Sequence, residues 1–78
     1  MLFSITIYYK DSTYYKEIFV NPNKKLLVKE KKNSYIIGMG DNKNNFEEIL
    51  YDIKKKDVRK EKAFEIVRLS EWPLVMCY

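Results

Sequence analysis

Phe3, Ile5, Ile7 and Tyr9 take every second position at the N-terminus, with Ser4, Thr6, Tyr8 and Lys10 between them. Side chains alternate faces along a strand, so this spacing calls for a half-buried β-strand. Asp11-Ser12 follows as a tight turn, and Thr13 to Val20 is expected to return as the second strand of a hairpin. With a two-residue loop, Tyr9 opposes Tyr14, Ile7 opposes Lys16, Ile5 opposes Ile18 and Phe3 opposes Val20. The other face pairs Tyr8 with Tyr15, Thr6 with Glu17 and Ser4 with Phe19. One face is then apolar except for Lys16. A one-residue slip would mix the two faces, which supports this reading.

Asn21-Pro22-Asn23 marks the next turn, because proline cannot join a central ladder. Strands are expected at Lys24–Glu30, with Leu26 and Val28 in the core, and at Tyr35–Met39. Short turns between four strands predict an antiparallel meander. Gly38-Met39-Gly40-Asp41-Asn42 reads as the turn into a helix, because Phe46, Ile49, Leu50 and Ile53 then fall at i, i+3, i+4 and i+7. Asn45 is placed as N-cap, with Glu48 completing a capping box. Glu47 and Glu48 start the helix and Lys54, Lys55 and Lys56 end it, which suits the helix dipole. Lys62–Leu69 is read as a strand from its β-branched residues, with a short helix the other choice. Trp72-Pro73 closes that element. The tail Leu74–Tyr78 is too apolar to hang in water, so it is expected to pair with the sheet or dock on a partner. The fold class expected is therefore α+β in the order ββββαββ: one domain over residues 1–78, with an amphipathic helix across an antiparallel sheet.

The chain contains no histidine and a single cysteine, Cys77. Histidine is the commonest general base and metal ligand, and every Ser-His or Cys-His pair needs it. No catalytic residue, metal site or cofactor is expected. Asp41, Glu47, Glu48 and Asp52 form a loose acidic group whose spacing singles out no chemistry. One cysteine allows no internal disulfide. No stretch approaches the roughly 20 apolar residues of a membrane-spanning helix, and the alternating N-terminus lacks a basic leader region. The cytoplasm of a bacterium, or of a phage-infected cell, is the expected compartment.

Charge is unevenly spread. Residues 24–32 and 54–62 each carry a net +4, so the remainder carries −4 within a chain of net charge +4. Lys24, Lys25, Lys29, Lys31, Lys32, Lys54, Lys55, Lys56, Arg59 and Lys60 are the candidates for contact with nucleic-acid phosphates or an acidic surface. Only Arg59 and Arg68 supply guanidinium groups, which favours nonspecific contact over base readout. The second candidate surface is the outer face of the hairpin, where Tyr8, Tyr15, Phe19 and Glu17 are expected to meet a protein partner.

In size, Lys/Asn/Ile/Tyr-rich composition and lack of catalytic apparatus, the chain resembles the small phage and mobile-element proteins that inhibit host defences, anti-CRISPR proteins among them. The resemblance rests on those bulk properties and on no motif. It implies a non-enzymatic inhibitor that binds a host protein or nucleoprotein complex directly. Nonspecific nucleic-acid binding is the alternative. A homodimer through an edge strand or the Leu74–Tyr78 tail is a further expectation.

Overall fold

The computed structural model describes residues 1–42 and 44–70. The expectations for Trp72-Pro73, Cys77 and the Leu74–Tyr78 tail fall outside the described residues. Six strands run as β1 (Leu2–Tyr8), β2 (Thr13–Phe19), β3 (Lys25–Glu30), β4 (Ser34–Asn42), β5 (Asn45–Lys54) and β6 (Phe64–Ser70), with one 3-10 turn at Lys55–Asp57. They form two three-stranded antiparallel sheets, ordered β2-β1-β6 and β3-β4-β5. Among the described residues no helix is long and apolar enough to cross a membrane.

This overturns the α+β expectation. The segment read as an amphipathic helix is β5, paired along its length with β4. The four-strand meander is also broken, because the chain leaves the first sheet after β2. Val20 N–H donates to Met1 O at 2.7 Å, and the N-terminal ammonium returns a bond to Val20 O at 2.8 Å. Asn21 then turns the chain, its side-chain oxygen accepting from Asn23 N–H at 2.9 Å and its carbonyl from Lys24 N–H at 2.9 Å. β3 therefore starts the second sheet.

The helical spacing in β5 has a physical source. The β4–β5 ladder changes register between Ile37 and Gly38 and again between Met39 and Gly40. Leu50 and Glu47 are the extra residues, and each reverses the strand's in–out phase. Ile53 and Tyr51 thus face the other sheet, while Ile49 and Phe46 lie on the outer face with Ile36 and Gly38. Two phase changes in a strand imitate a 3.6-residue period. The glycines make the pairing possible by leaving room. A Cβ on Gly38 would overlap the Glu48 carbonyl oxygen and come within 2.7 Å of the Phe46 ring; one on Gly40 would overlap the Asn45 carbonyl oxygen. Both glycines lie within β4 and have ordinary φ angles, so the expected glycine turn into a helix is absent.

The sheets enclose one layer of aliphatic side chains. Ile5 and Ile7 of β1 meet Ile37 of β4, Ile53 of β5 and Val58 of the following loop, all at 2% exposure or less. Tyr35, Tyr51, Phe64 and Ile66 close its margins, with Tyr35 and Phe64 in edge-to-face contact at 5.2 Å. The hairpin register differs from the expected one by two residues. Tyr8 opposes Thr13, Thr6 opposes Tyr15, Ser4 opposes Glu17 and Leu2 opposes Phe19, so Tyr9 to Ser12 all belong to the loop. A two-residue shift preserves the faces. The longer loop exists because Tyr9 is drawn away to bridge Val58.

Ile37→Ala is expected to lower unfolding free energy by about 2–4 kcal/mol, read from urea titration, because the thin core has little freedom to close the gap. Gly38→Ala is expected to cost about 1–3 kcal/mol, although alanine usually stabilises a strand relative to glycine, because the added methyl meets backbone as well as a ring.

Candidate functional site

Two surfaces stand out, and they share one sheet face. The outer face of the first sheet carries Leu2, Ser4, Thr6 and Tyr8 of β1, flanked by Phe19, Glu17, Tyr15 and Thr13 of β2. On the other side, Val67 opposes Ser4 and Glu65 opposes Thr6. At one end the face is apolar: Phe19 is 54% exposed beside Leu2, Val67 is 42% exposed, and Leu69 at the end of β6 is 44% exposed. In the middle it is polar. Ser4 is buried, Tyr15 is exposed, and the Tyr15 hydroxyl donates to Glu17 Oε2 at 2.8 Å. At the other end Tyr8 donates to Glu65 Oε1 at 3.0 Å, with the Arg59 guanidinium 6.0 Å and the Lys62 ammonium 5.9 Å from its ring centre. The expected partner-binding set of Tyr8, Tyr15, Glu17 and Phe19 therefore does lie on one face, but only Tyr15, Glu17 and Phe19 are open to solvent; Tyr8 is half-buried.

The basic end is built by three connections that the core holds together. Lys10 N–H donates to Asp57 O at 3.0 Å, Arg59 N–H to Tyr8 O at 2.9 Å, and Lys55 N–H to Asn33 O at 2.9 Å. These bonds gather the β1–β2 loop, the β3–β4 loop and the 3-10 turn at one pole of the sandwich. Ten basic residues collect there: Lys10, Lys29, Lys31, Lys32, Lys54, Lys55, Lys56, Arg59, Lys60 and Lys62. Asp11, Glu30, Asp57 and Glu61 are the acidic residues among them, and Asp52 and Glu65 are ion-paired with Lys54 and Lys62, leaving the pole at +4. Two open clefts flank the 3-10 turn. One, of about 540 Å³, is lined by Asn33, Lys54, Lys55, Lys56 and Asp57; the other, of about 500 Å³, by Tyr9, Lys10, Asp11, Ser12, Lys56 and Asp57.

The first basic block divides between the two ends of the molecule. Lys31 and Lys32 reach this pole, whereas Lys24 and Lys25 sit at the far end of β3, about 20 Å away at the rise of an extended strand. Lys24 is also ion-paired with Glu47. Lys10 and Lys62 join the pole without belonging to the residues singled out from the sequence. Lys62 lies within the second basic block, but nothing local marks Lys10; only the closure of its loop onto Asp57 places it there. Within the pole Lys55 is the most constrained cation, bonded to Glu30 at 2.7 Å and 5.1 Å from the Tyr35 ring centre. Lys31, Lys32, Lys56 and Lys60 are exposed. Among the described residues no group of three or more His, Cys, Asp or Glu side chains is placed to hold a metal ion.

The titrating groups report these contacts. The hydrogen bond from Tyr8 holds the Glu65 carboxyl below its ordinary value, with Lys62 adding to the effect. Burial, then the hydrogen bond with Tyr14, pushes the Tyr51 phenol up to about 12. Tyr8→Phe is expected to return Glu65 toward ordinary carboxylate titration, followed by carboxyl NMR. For Tyr51 the folded state keeps a proton that the unfolded chain releases near 10.0, so its contribution to stability is complete below that pH. It is lost as the pH rises from 10.0 toward 12, and Tyr51→Phe is expected to flatten the fall in urea midpoint over that range. No protein-family model, curated protein or solved structure matches the chain at a significant level.

Proposed function

We propose that this chain is a non-enzymatic binding module that docks on a protein or nucleoprotein complex through the outer face of its first sheet. The observation that carries the reading is the exposed apolar end of that face, Phe19 with Leu2, Val67 and Leu69, set about 20 Å along β1 from a pole of charge +4. Apolar side chains on a sheet are a desolvation anchor, and Phe19 and Tyr15 are residue types enriched at interface centres. The pole steers and orients a partner bearing negative charge. Occlusion of the partner's own binding surface is the mode of action that so small a module supports. Its size and composition, shared with small phage and mobile-element inhibitors of host defence, support the same reading. The cytoplasm is its proposed place of action.

The test is affinity capture from the source cell with and without nuclease. A protein retained after nuclease treatment is expected, with its affinity for Phe19→Ser reduced about thirtyfold or more, the range of an interface anchor. The melting temperature of that variant should stay close to the parent's. Loss of stability in Phe19→Ser, or undiminished capture, overturns the reading.

A second reading, nonspecific nucleic-acid binding, is favoured by the convergence of the second basic block with Lys29, Lys31 and Lys32 of the first on one pole. It predicts oligonucleotide affinity falling with salt at a log–log slope of several units. Replacing Lys31, Lys32, Lys56 and Lys60 with glutamine should flatten that slope. The same change at Lys24 and Lys25 should leave it nearly unaltered, because those side chains sit at the other end of the molecule.

A further inference from the structure

The strand β2 is exposed in a way no other strand is. It lies at the edge of its sheet, and β1 is the one described strand that pairs with it. Six of its seven residues are exposed, with Ile18 half-buried. On the outer side Tyr15, Glu17 and Phe19 meet solvent. On the inner side the second sheet reaches β2 at Tyr14, whose ring meets Tyr51 edge-on at 5.8 Å, and Lys16 is exposed. The strand is also regular. Its seven pairs with β1 run without a register change, and Thr-Tyr-Tyr-Lys-Glu-Ile-Phe contains neither glycine nor proline. The β1–β6 and β4–β5 ladders both carry irregularities, and β3 is shorter. Bulges and short length are devices that stop an edge from recruiting another strand. An unbroken edge of strong β-formers presents alternate N–H and C=O groups for pairing.

We propose that β2 pairs antiparallel with β2 of a second copy of this chain, giving a two-fold dimer with a continuous six-stranded sheet, β6-β1-β2 joined to its own copy. The register follows from charge and symmetry. Opposed side chains in an antiparallel pair point to the same face, so a two-fold axis normal to the sheet must pass through a residue facing itself. Centring on Lys16 opposes two lysines, and centring on Glu17 opposes two carboxylates, both unfavourable. Centring on Tyr14 or on Ile18 engages only three residues of each strand, because β2 runs from Thr13 to Phe19. Centring on Tyr15 avoids every like-charge pair. Tyr15 then faces the partner's Tyr15, Tyr14 faces the partner's Lys16, and Thr13 faces the partner's Glu17. These are a ring pair, a cation beside a ring and a hydroxyl beside a carboxylate, each repeated by symmetry where it is not on the axis. The antiparallel arrangement also sends the two basic poles to opposite ends of the assembly, so they do not repel across the interface. Phe19, Val67 and Leu69 stay uncovered, so the dimer displays the proposed docking face twice and gains by bivalency against a repeated target.

The test uses the full chain with Cys77→Ser as background. Sedimentation from about 1 to 300 µM, the range of a modest edge-pairing affinity, should show a reversible monomer–dimer equilibrium. Single cysteines at Tyr15, Lys16 and Glu17 are then oxidised at the dimer concentration, with Tyr15→Cys expected to cross-link fastest because it lies on the axis. Thr13→Glu should weaken association about three- to tenfold by facing the partner's Glu17, and adding Glu17→Lys should restore it. Unchanged melting temperatures show that these exposed variants remain folded. Monomer at every concentration overturns the proposal. So does fastest cross-linking at Lys16 or Glu17, or failure of the charge reversal to restore association.

Discussion

The structure depends on a single layer of branched aliphatic side chains. Ile5, Ile7, Ile37, Ile53 and Val58 come from both sheets and from the loop that joins them. A chain of this size can bury little more, and what it buries is confined to the middle of the sandwich. The second sheet covers β1 and β6 through these contacts, whereas β2 contributes only half-buried Ile18 to the core layer and the Tyr14–Tyr51 pair at its edge. The exposed edge is therefore a consequence of core size. It follows from how few side chains are available to cover a third strand.

The same layer organises the charge. Val58 is buried next to Tyr9, and that contact pins the loop following β5 against the loop following β1. Lys54, Lys55, Lys56, Lys60 and Lys62 are brought beside Lys10 and the β3–β4 loop as a result. Concentrating like charge at one pole opposes folding through self-repulsion, and Glu30, Asp52 and Glu65 offset part of it through ion pairs with Lys55, Lys54 and Lys62. The remaining field points outward from the end at which Tyr8 closes the sheet face. Anchor and field thus occupy one continuous surface, which suits recognition by a combination of desolvation and steering.

The first hairpin was legible because period-two alternation has no helical equivalent: Ile5 and Ile7 had to face inward together. Its register was not, because Asp11-Ser12 is one loop candidate among several and Tyr9 answers to Val58, a residue nearly fifty positions away. The outward placement of Tyr15 and Phe19 survives the change, since a two-residue shift keeps parity. β5 misleads for a different reason. Phe46, Ile49 and Ile53 obey a helical spacing while alternating in Ile49-Leu50-Tyr51-Asp52-Ile53 points to a strand. The bulges that reconcile the two are set by Gly38 and Gly40 in another strand, through backbone contacts with Glu48 and Asn45.

By itself the sequence determined which residues could not be separated from water and which had to be. It dictated the β1 face, the turn at Asn21-Pro22-Asn23 and the absence of a histidine-based site, and it favoured a strand over a short helix at β6, because each follows from local geometry or from composition. Only the tertiary structure decided that Phe46–Ile53 is a strand, that Lys24 and Lys31 belong to opposite ends, and that β2 is left open. Those outcomes rest on contacts between residues distant in the chain, where strand pairing overrides local preference and the reach of one small core sets what remains uncovered.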